Sequence, residues 1–320
     1  MPESMTISEQ LEAARTGDRL TLARLLSHVE RGDEASRELG SVVFPLAKDG
    51  YTIGLTGAPG AGKSTLTSAL VGEFRSRSQR VAVLAVDPSS PFTGGALLGD
   101  RTRMNDHALD KDVFIRSMAT RGHLGGLALA TPEAIRLLDA VGFAWVIVET
   151  VGVGQVEVEI AGAADTTVVV INPGWGDSVQ ANKAGLMEIA DVFVVNKADR
   201  EGAKQSAREL ETMLDLTRGS RSWRPPVVLS VATTGEGSAE LCDAVLAHRD
   251  HLTVSGELTQ RRAQRVDEEL SLVLTQRLRA LVSDHLGSSA VEQIRTDLAE
   301  RRIDPWAAAD QLLGGLGSIS

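Results

Sequence analysis

Cysteine is nearly missing from this chain. Cys242 stands alone among 320 residues, so no internal disulfide can form and a thiolate-rich metal site is excluded. It lies in an apolar-periodic stretch, where the simplest reading is a small buried core residue. Aromatic side chains are also scarce, at 3%, too few for a platform that stacks single-stranded nucleic-acid bases. Positive charge is in deficit: 33 Lys and Arg face 43 Asp and Glu, a net charge of −10. That balance argues against wrapping a phosphate backbone or lying on an anionic membrane, so any bound polyanion has to be held by a local device. No apolar run approaches the ~20 residues that span a bilayer. The start, "MPESMTISEQ", has no basic segment followed by an apolar core. The expectation is a cytoplasmic protein with no nucleic-acid and no membrane partner. The 42% of hydrophobic residues is ordinary and suffices for a sizeable core.

Three regions follow from the hydrophobic rhythm. Residues 1–48 read as an N-terminal helical segment, with Leu11, Ala14, Leu20, Leu22, Leu25 and Leu26 at three- and four-residue spacings. Residues 49–250 alternate helix-length stretches with short β-branched runs: "YTIGLTG", "VAVLAVD", "VFIRSMA", "WVIVET", "TTVVVIN", "VFVVNKAD" and "PVVLSVA". Several runs are continuously apolar, as in strands covered on both faces, and the alternation predicts an α/β fold with a mainly parallel, doubly wound sheet. In "ATPEAIRLLDAVG", Thr131 is placed as a helix cap, Pro132 as the first helical position and Gly142 as the stop. Residues 251–320 carry no strand signal. There Val266, Leu270, Leu274, Leu278, Leu281 and Leu286 stripe one long charged helix, which either docks on its own domain or packs on another subunit.

The most specific signal is "GAPGAGKST", Gly57, Ala58, Pro59, Gly60, Ala61, Gly62, Lys63, Ser64 and Thr65. It fits G-x-x-x-x-G-K-[ST] between a strand and a helix, the P-loop NTPase arrangement. A triphosphate needs many backbone N–H donors pointing inward, and side chains would obstruct that approach. The following helix turns its positive end to the phosphates; Lys63 reaches the β- and γ-phosphates and Ser64 ligates Mg²⁺. The bland alternative is a Gly-rich turn without a ligand.

Base choice is read from "NKAD", Asn196 to Asp199, after the strand "VFVV". Guanine offers N1–H and a 2-amino group, two parallel donors that the Asp199 carboxylate accepts together. Adenine offers an acceptor at N1, which would leave that carboxylate unpaired. Asn196 is assigned to the purine N7/O6 side, and the Lys197 stem to the ring face. The expected ligand is GTP, or GDP after hydrolysis. Asp87 and Glu149 each end a strand, where a carboxylate can hold Mg²⁺ or its waters. For Asp87 the alternative is a plain turn former before Pro88. Gly152 is placed for its N–H to sense the γ-phosphate.

With "AVDPSSPFTGGALLGDRTRM", "IRSMATRGHLGG", "ETVGVGQVEVE" and "NPGWGDSVQANKAGLMEIADVFVVNKAD", these residues resemble the MeaB/ArgK family of GTPases over nearly the whole chain. The resemblance implies a slow GTPase that chaperones an adenosylcobalamin-dependent acyl-CoA mutase, methylmalonyl-CoA mutase above all. It also implies a homodimer joined through the C-terminal helical arm. Lys63 and Ser64 match the family's phosphate and Mg²⁺ contacts, Asp87 and Glu149 its acidic metal positions, and Asp100 an acid of the first switch. Asp177 and Lys183 match a mobile loop, with Lys183 set to place positive charge on the transition state. Without the resemblance, these two are a solvated loop acid and a surface lysine.

Two departures stand out. Val153 occupies the place where Ras-like GTPases carry a water-orienting Gln, and Gln155 lies two positions farther, so low intrinsic hydrolysis is expected. The loop closing over guanine reads Val231, Ala232, Thr233 where the family often has Ser-Ala; its backbone N–H groups can still serve. The roles of Arg101, Arg103 and Arg121 stay open. Competing readings are a nickel or cobalt metallochaperone GTPase, which normally displays Cys/His clusters, and a small-molecule or protein kinase. The six histidines are scattered with no H-x-x-x-H pair.

Overall fold

A computed structural model describes residues 5–47, 50–87, 107, 109–119, 126–150, 161–174, 180–216 and 222–317. Each β-branched run of the sequence forms a strand: β1 (Tyr51–Gly57), β2 (Val81–Asp87), β3 (Val113–Ala119), β4 (Trp145–Thr150), β5 (Thr166–Ile171), β6 (Val192–Asn196) and β7 (Val227–Ser230). They form one sheet in the order β3-β2-β4-β1-β5-β6-β7, with every pairing parallel. The helices are α1 (Ile7–Arg15), α2 (Arg19–Arg31), α3 (Glu34–Val43), α4 (Lys63–Ser76), α5 (Gly126–Ala140), α6 (Gln180–Ile189), α7 (Ala203–Leu216), α8 (Ser238–Ser255), α9 (Glu257–Ala299) and α10 (Pro305–Gly317). After β1 the chain runs to β2 on one side, and the β4-to-β5 connection later crosses β1 to the other. The crevice expected at such a reversal therefore opens at the carboxyl end of β1.

The continuous apolar runs are explained by helices on both faces. Tyr51, Ile53 and Leu55 of β1, with Val81, Val83, Trp145 and Ile147, meet Leu66, Leu70 and Phe74 of α4 and Leu241, Cys242 and Val245 of α8. Cys242 is thus the buried core residue it was expected to be. The alternate residues Ala82, Leu84, Val86, Val146 and Val148 point the other way, onto α5 and the N-terminal helices. Beyond β1 on that face, Val169, Ile171, Phe193 and Val195 pack on α6 and α7. The N-terminal helices share the main core through Leu11, Leu25, Leu26 and Leu39. Their starts are well specified: Thr6 and Glu9 close a capping box on α1, and Asp18 and Asp33 cap α2 and α3.

One local expectation fails. α5 begins at Gly126, so Pro132 lies inside the helix and Thr131 does not cap it. The apolar stretch before Thr131 continues the buried face, with Ala130 and Ala134 both in the core, and that burial outweighs the lost Pro N–H. The stop is as expected: Gly142 has φ +96°, and the Gly142 and Phe143 N–H groups donate back to Asp139 and Leu138.

The chain divides into two compact units, Met1–Arg265 and Val266–Ser320. At the amino edge of the sheet the first unit holds a charged knot. Asp165, just before β5, accepts the Thr52 N–H of β1 at 3.0 Å and is ion-paired with Arg262, at 2.7 Å, and with Arg265. Asp191, just before β6, accepts the Thr167 N–H at 2.8 Å and faces Arg261 at 3.3 Å. The first three turns of α9 are thereby fastened to the starts of β1, β5 and β6. In the second unit Val266, Leu270, Leu274, Leu278 and Leu281 are exposed.

Candidate active site

The loop after β1 has a shape that only glycine allows at two points. Gly57 has φ +138°, and a Cβ there would run into the Val170 carbonyl of β5. Gly62 has φ +90°, and its Cβ would strike the Asn196 amide. Gly62 also stands at the N-cap of α4 and supplies no side-chain cap. The first amides of that helix therefore face the loop without a capping side chain, ready for an anion. Lys63 is buried, and its Nζ donates to the carbonyls of Gly57 at 2.6 Å and Ala58 at 3.3 Å. An ammonium thus sits against the concave wall of backbone dipoles.

Beside the loop, β4 brings Glu149 level with Leu55 of β1. Glu149 is fully buried. Ser64 Oγ donates to its Oε1 at 2.8 Å, and Thr67 Oγ1 to its Oε2 at 2.5 Å. Ser64 and Glu149 are among the residues that the sequence singles out for this site; Thr67 is not. Its only signal was spacing, three residues past Ser64 and four past Lys63, which puts all three on one helical face.

The guanine motif reaches the same edge from β6. Asn196 is buried; its Nδ2 donates to Ala61 O at 2.8 Å, and its Oδ1 accepts from Ala232 N at 3.1 Å. It therefore braces the phosphate loop against the Val231–Thr233 loop, a task not foreseen for it. The second amide hydrogen takes no part in these two bonds. Lys197 has φ +58°, and its Nζ donates to Gly60 O at 2.6 Å, while Asp199 stays exposed. The loop of Val231, Ala232 and Thr233 is closed by a Val231–Glu236 bridge and by Gly237, whose Cβ would meet the Leu229 carbonyl. Ala232 is buried and Thr233 exposed.

Residues 57–65, 149, 196–199 and 231–233, far apart in sequence, are thus assembled at one edge. Asp87 ends β2 in register with Ala119, at the same edge, but its side chain lies outside the described residues. So do Asp100, Gly152, Val153, Gln155, Asp177, Arg101, Arg103 and Arg121. Lys183 sits in the first turn of α6, and only its backbone is described. Thr56 Oγ1, Thr150 Oγ1 and Asn172 Oδ1, at the ends of three adjacent strands, are buried with no hydrogen-bond partner among the described residues. Orphans of this kind are rare in a finished interior and common where a ligand completes a site.

Dipoles, lysine and hydroxyl suit a phosphate chain, and the profile of the family described as "Methylmalonyl Co-A mutase-associated GTPase MeaB" matches residues 22–286. The chain belongs to the MeaB family. It is a P-loop GTPase, and its family binds guanine nucleotide. A putative GTPase of Pyrococcus abyssi is 50% identical over 310 residues, 96% of each chain. The mitochondrial methylmalonic aciduria type A homolog of Mus musculus is 33% identical, over 93% of this chain and 76% of that one. The crystal structure of a LAO/AO transport system kinase superposes over 99% of both chains with a TM-score of 0.73 and 28% identity. Among the described residues no helix is long and apolar enough to cross a membrane.

The donors also fit a Mg²⁺ ion of the kind this fold employs. Ser64 Oγ and the Glu149 carboxylate are hard oxygen ligands 2.8 Å apart, without nitrogen or sulfur competitors in the pair.

Proposed function

We propose that this GTPase is a nucleotide-driven chaperone of an adenosylcobalamin-dependent acyl-CoA mutase, methylmalonyl-CoA mutase or a close relative. It gates loading of intact cofactor, protects the loaded enzyme and helps clear inactivated cofactor. The observation that carries this reading is the family match over residues 22–286, a family described by its association with that mutase.

In this reading Lys63 leaves the Gly57 and Ala58 carbonyls for the β- and γ-phosphates, and the α4 amides take the remaining oxygens. Ser64 and Glu149 hold Mg²⁺, with Asp87 and Asp100 completing the acidic set. The ion supplies charge neutralisation on the phosphates. Asp199 reads guanine, Lys197 covers its ring, and the Val231–Thr233 backbone closes over it. Gly152 senses the γ-phosphate. Val153, in place of a water-orienting Gln, keeps basal hydrolysis low until the partner brings Asp177 and Lys183 into the site.

The exposed stripe of α9 supports a homodimer joined through residues 251–320, with residues 49–250 as the GTPase domain behind a helical segment of 1–48. A cytoplasmic setting is part of the same proposal.

The test is GTP turnover by the purified protein with and without purified methylmalonyl-CoA mutase, alongside transfer of adenosylcobalamin to the apo-mutase. Stimulated turnover and nucleotide-dependent transfer are expected. No complex and unchanged turnover would overturn the proposal. Transfer of labelled phosphate to a protein acceptor rather than to water would favour the activity named for the LAO/AO transport system kinase.

A further inference from the structure

Thr67 lies three residues beyond the end of the phosphate-loop signature at Ser64, and nothing in that signature asks for a hydroxyl there. Threonine is a weak helix former, and the inner face of α4 is otherwise built from Leu66, Leu70, Val71 and Phe74. Yet Thr67 is completely buried, and its hydroxyl is spent on Glu149 Oε2 at 2.5 Å. The other carboxylate oxygen takes the Ser64 hydroxyl at 2.8 Å. Two hydroxyls one helical turn apart thus grip the two oxygens of one buried acid, and fix both its rotation and its distance from α4.

We infer that Thr67 is a positioning residue for the metal side of the GTPase site: by holding Glu149 Oε2, it aims the carboxylate so that Ser64 and Glu149 can serve one cation together. The two grips differ in kind. Ser64 can offer an oxygen lone pair to the cation while its proton stays on Oε1. Thr67, a turn farther into the helix and sealed from solvent, keeps its bond whether or not the cation is present. Its loss would remove a buried donor from Oε2 and loosen the aim of the carboxylate, which costs affinity for the cation more than for the nucleotide. The inference rests on the Mg²⁺ assignment proposed above.

The experiment is equilibrium binding of a fluorescent GDP analogue to the full chain, first in EDTA and then across a Mg²⁺ titration. Thr67→Val keeps the shape and removes the hydroxyl. The Mg²⁺ concentration that half-completes the tightening should rise about tenfold, the loss expected for a hydrogen bond to a charged group. Affinity in EDTA should stay within about twofold, and Thr67→Ser should restore the wild-type Mg²⁺ requirement. Should the valine variant fail to fold, Thr67→Ala against Thr67→Ser decides the same question. An unchanged Mg²⁺ requirement without the hydroxyl would overturn the inference. So would an equal loss in EDTA, which would make Thr67 a support of the phosphate loop alone. Wild-type binding indifferent to Mg²⁺ would sink the metal assignment itself and this role with it.

Discussion

Asn196 and Ala61 are 135 residues apart, and the side-chain amide of the one donates to the carbonyl of the other at 2.8 Å. The same side chain accepts from Ala232 N. The three segments proposed to surround a guanine nucleotide are therefore coupled through one buried amide. Gly62 is forced by the same contact, because any Cβ there would meet the Asn196 nitrogen. The proposed base pocket and the phosphate loop are one construction.

Asn196→Ala should therefore cost stability as well as affinity. It removes two hydrogen bonds and leaves the buried Ala232 N–H without its acceptor, together about 2 kcal/mol. For a unit of this size the melting temperature of the nucleotide-free protein should drop by about 4–8 °C. An unchanged melting temperature would mean that the brace holds nothing.

Lys63→Ala separates ligand binding from folding. The ammonium touches two loop carbonyls, and the shape of the loop depends on Gly57 and Gly62 rather than on that side chain. The variant should fold, with a wild-type circular dichroism spectrum, and lose measurable GTP affinity by calorimetry. Retained affinity would remove the lysine from the phosphate site.

Asp199→Asn should change which base is preferred. Asp199 is exposed, so the exchange carries little folding cost. Xanthine has an oxygen where guanine has the 2-amino group, and an amide can donate to it. The ratio of GTP to XTP affinity should fall at least about a hundredfold, since such ratios rest on paired buried donors and acceptors. An unmoved ratio in competition binding would show that this carboxylate does not read the base.

The strands were legible because each is buried on both faces, and two-sided burial leaves continuous β-branched runs such as Thr166–Ile171. The phosphate loop was legible for the opposite reason: left-handed backbone and close approach to Val170 admit only glycine, and glycine shows in a sequence. Helix α5 was misread because Thr131-Pro132 is a good local start signal, overridden by the core positions on either side. Thr67 and the brace made by Asn196 depend on what α4 and β6 face across the sheet. No local pattern encodes that, and a threonine on a helix reads as merely tolerated.

At the amino edge of the sheet, buried titratable groups couple stability to pH. His248 is fully buried beside Trp223; its Nδ1 meets Thr166 Oγ1 at 2.8 Å, and that hydroxyl meets the Tyr51 hydroxyl at 2.7 Å. Burial, helped by the charges of Arg261 and His251, pushes its pKa down to about 3. Asp191 Oδ1 lies 3.3 Å from Nε2 and would favour the charged ring, but it is out of line for a hydrogen bond and also faces Arg261, while Oδ2 accepts the Thr167 N–H. Burial therefore prevails. An unfolded His titrates near 6.5, so below that pH the unfolded chain takes up a proton that the folded chain refuses. The stabilisation is intact above about pH 6.5 and drains away as the pH falls toward 3, at up to about 1.4 kcal/mol per pH unit. Asp165 adds a second loss lower down. Burial alone would raise its pKa, but the bonds and charges of Arg262 and Arg265 hold it below the usual carboxylate range, so its contribution fades only below about pH 4. In urea unfolding from pH 7 to 4.5, the wild-type protein should lose stability steadily, and His248→Asn should start lower at pH 7 but follow a flatter line. Parallel lines would mean that His248 accepts its proton in the folded state, and that the Asp191 carboxylate, not burial, governs this corner.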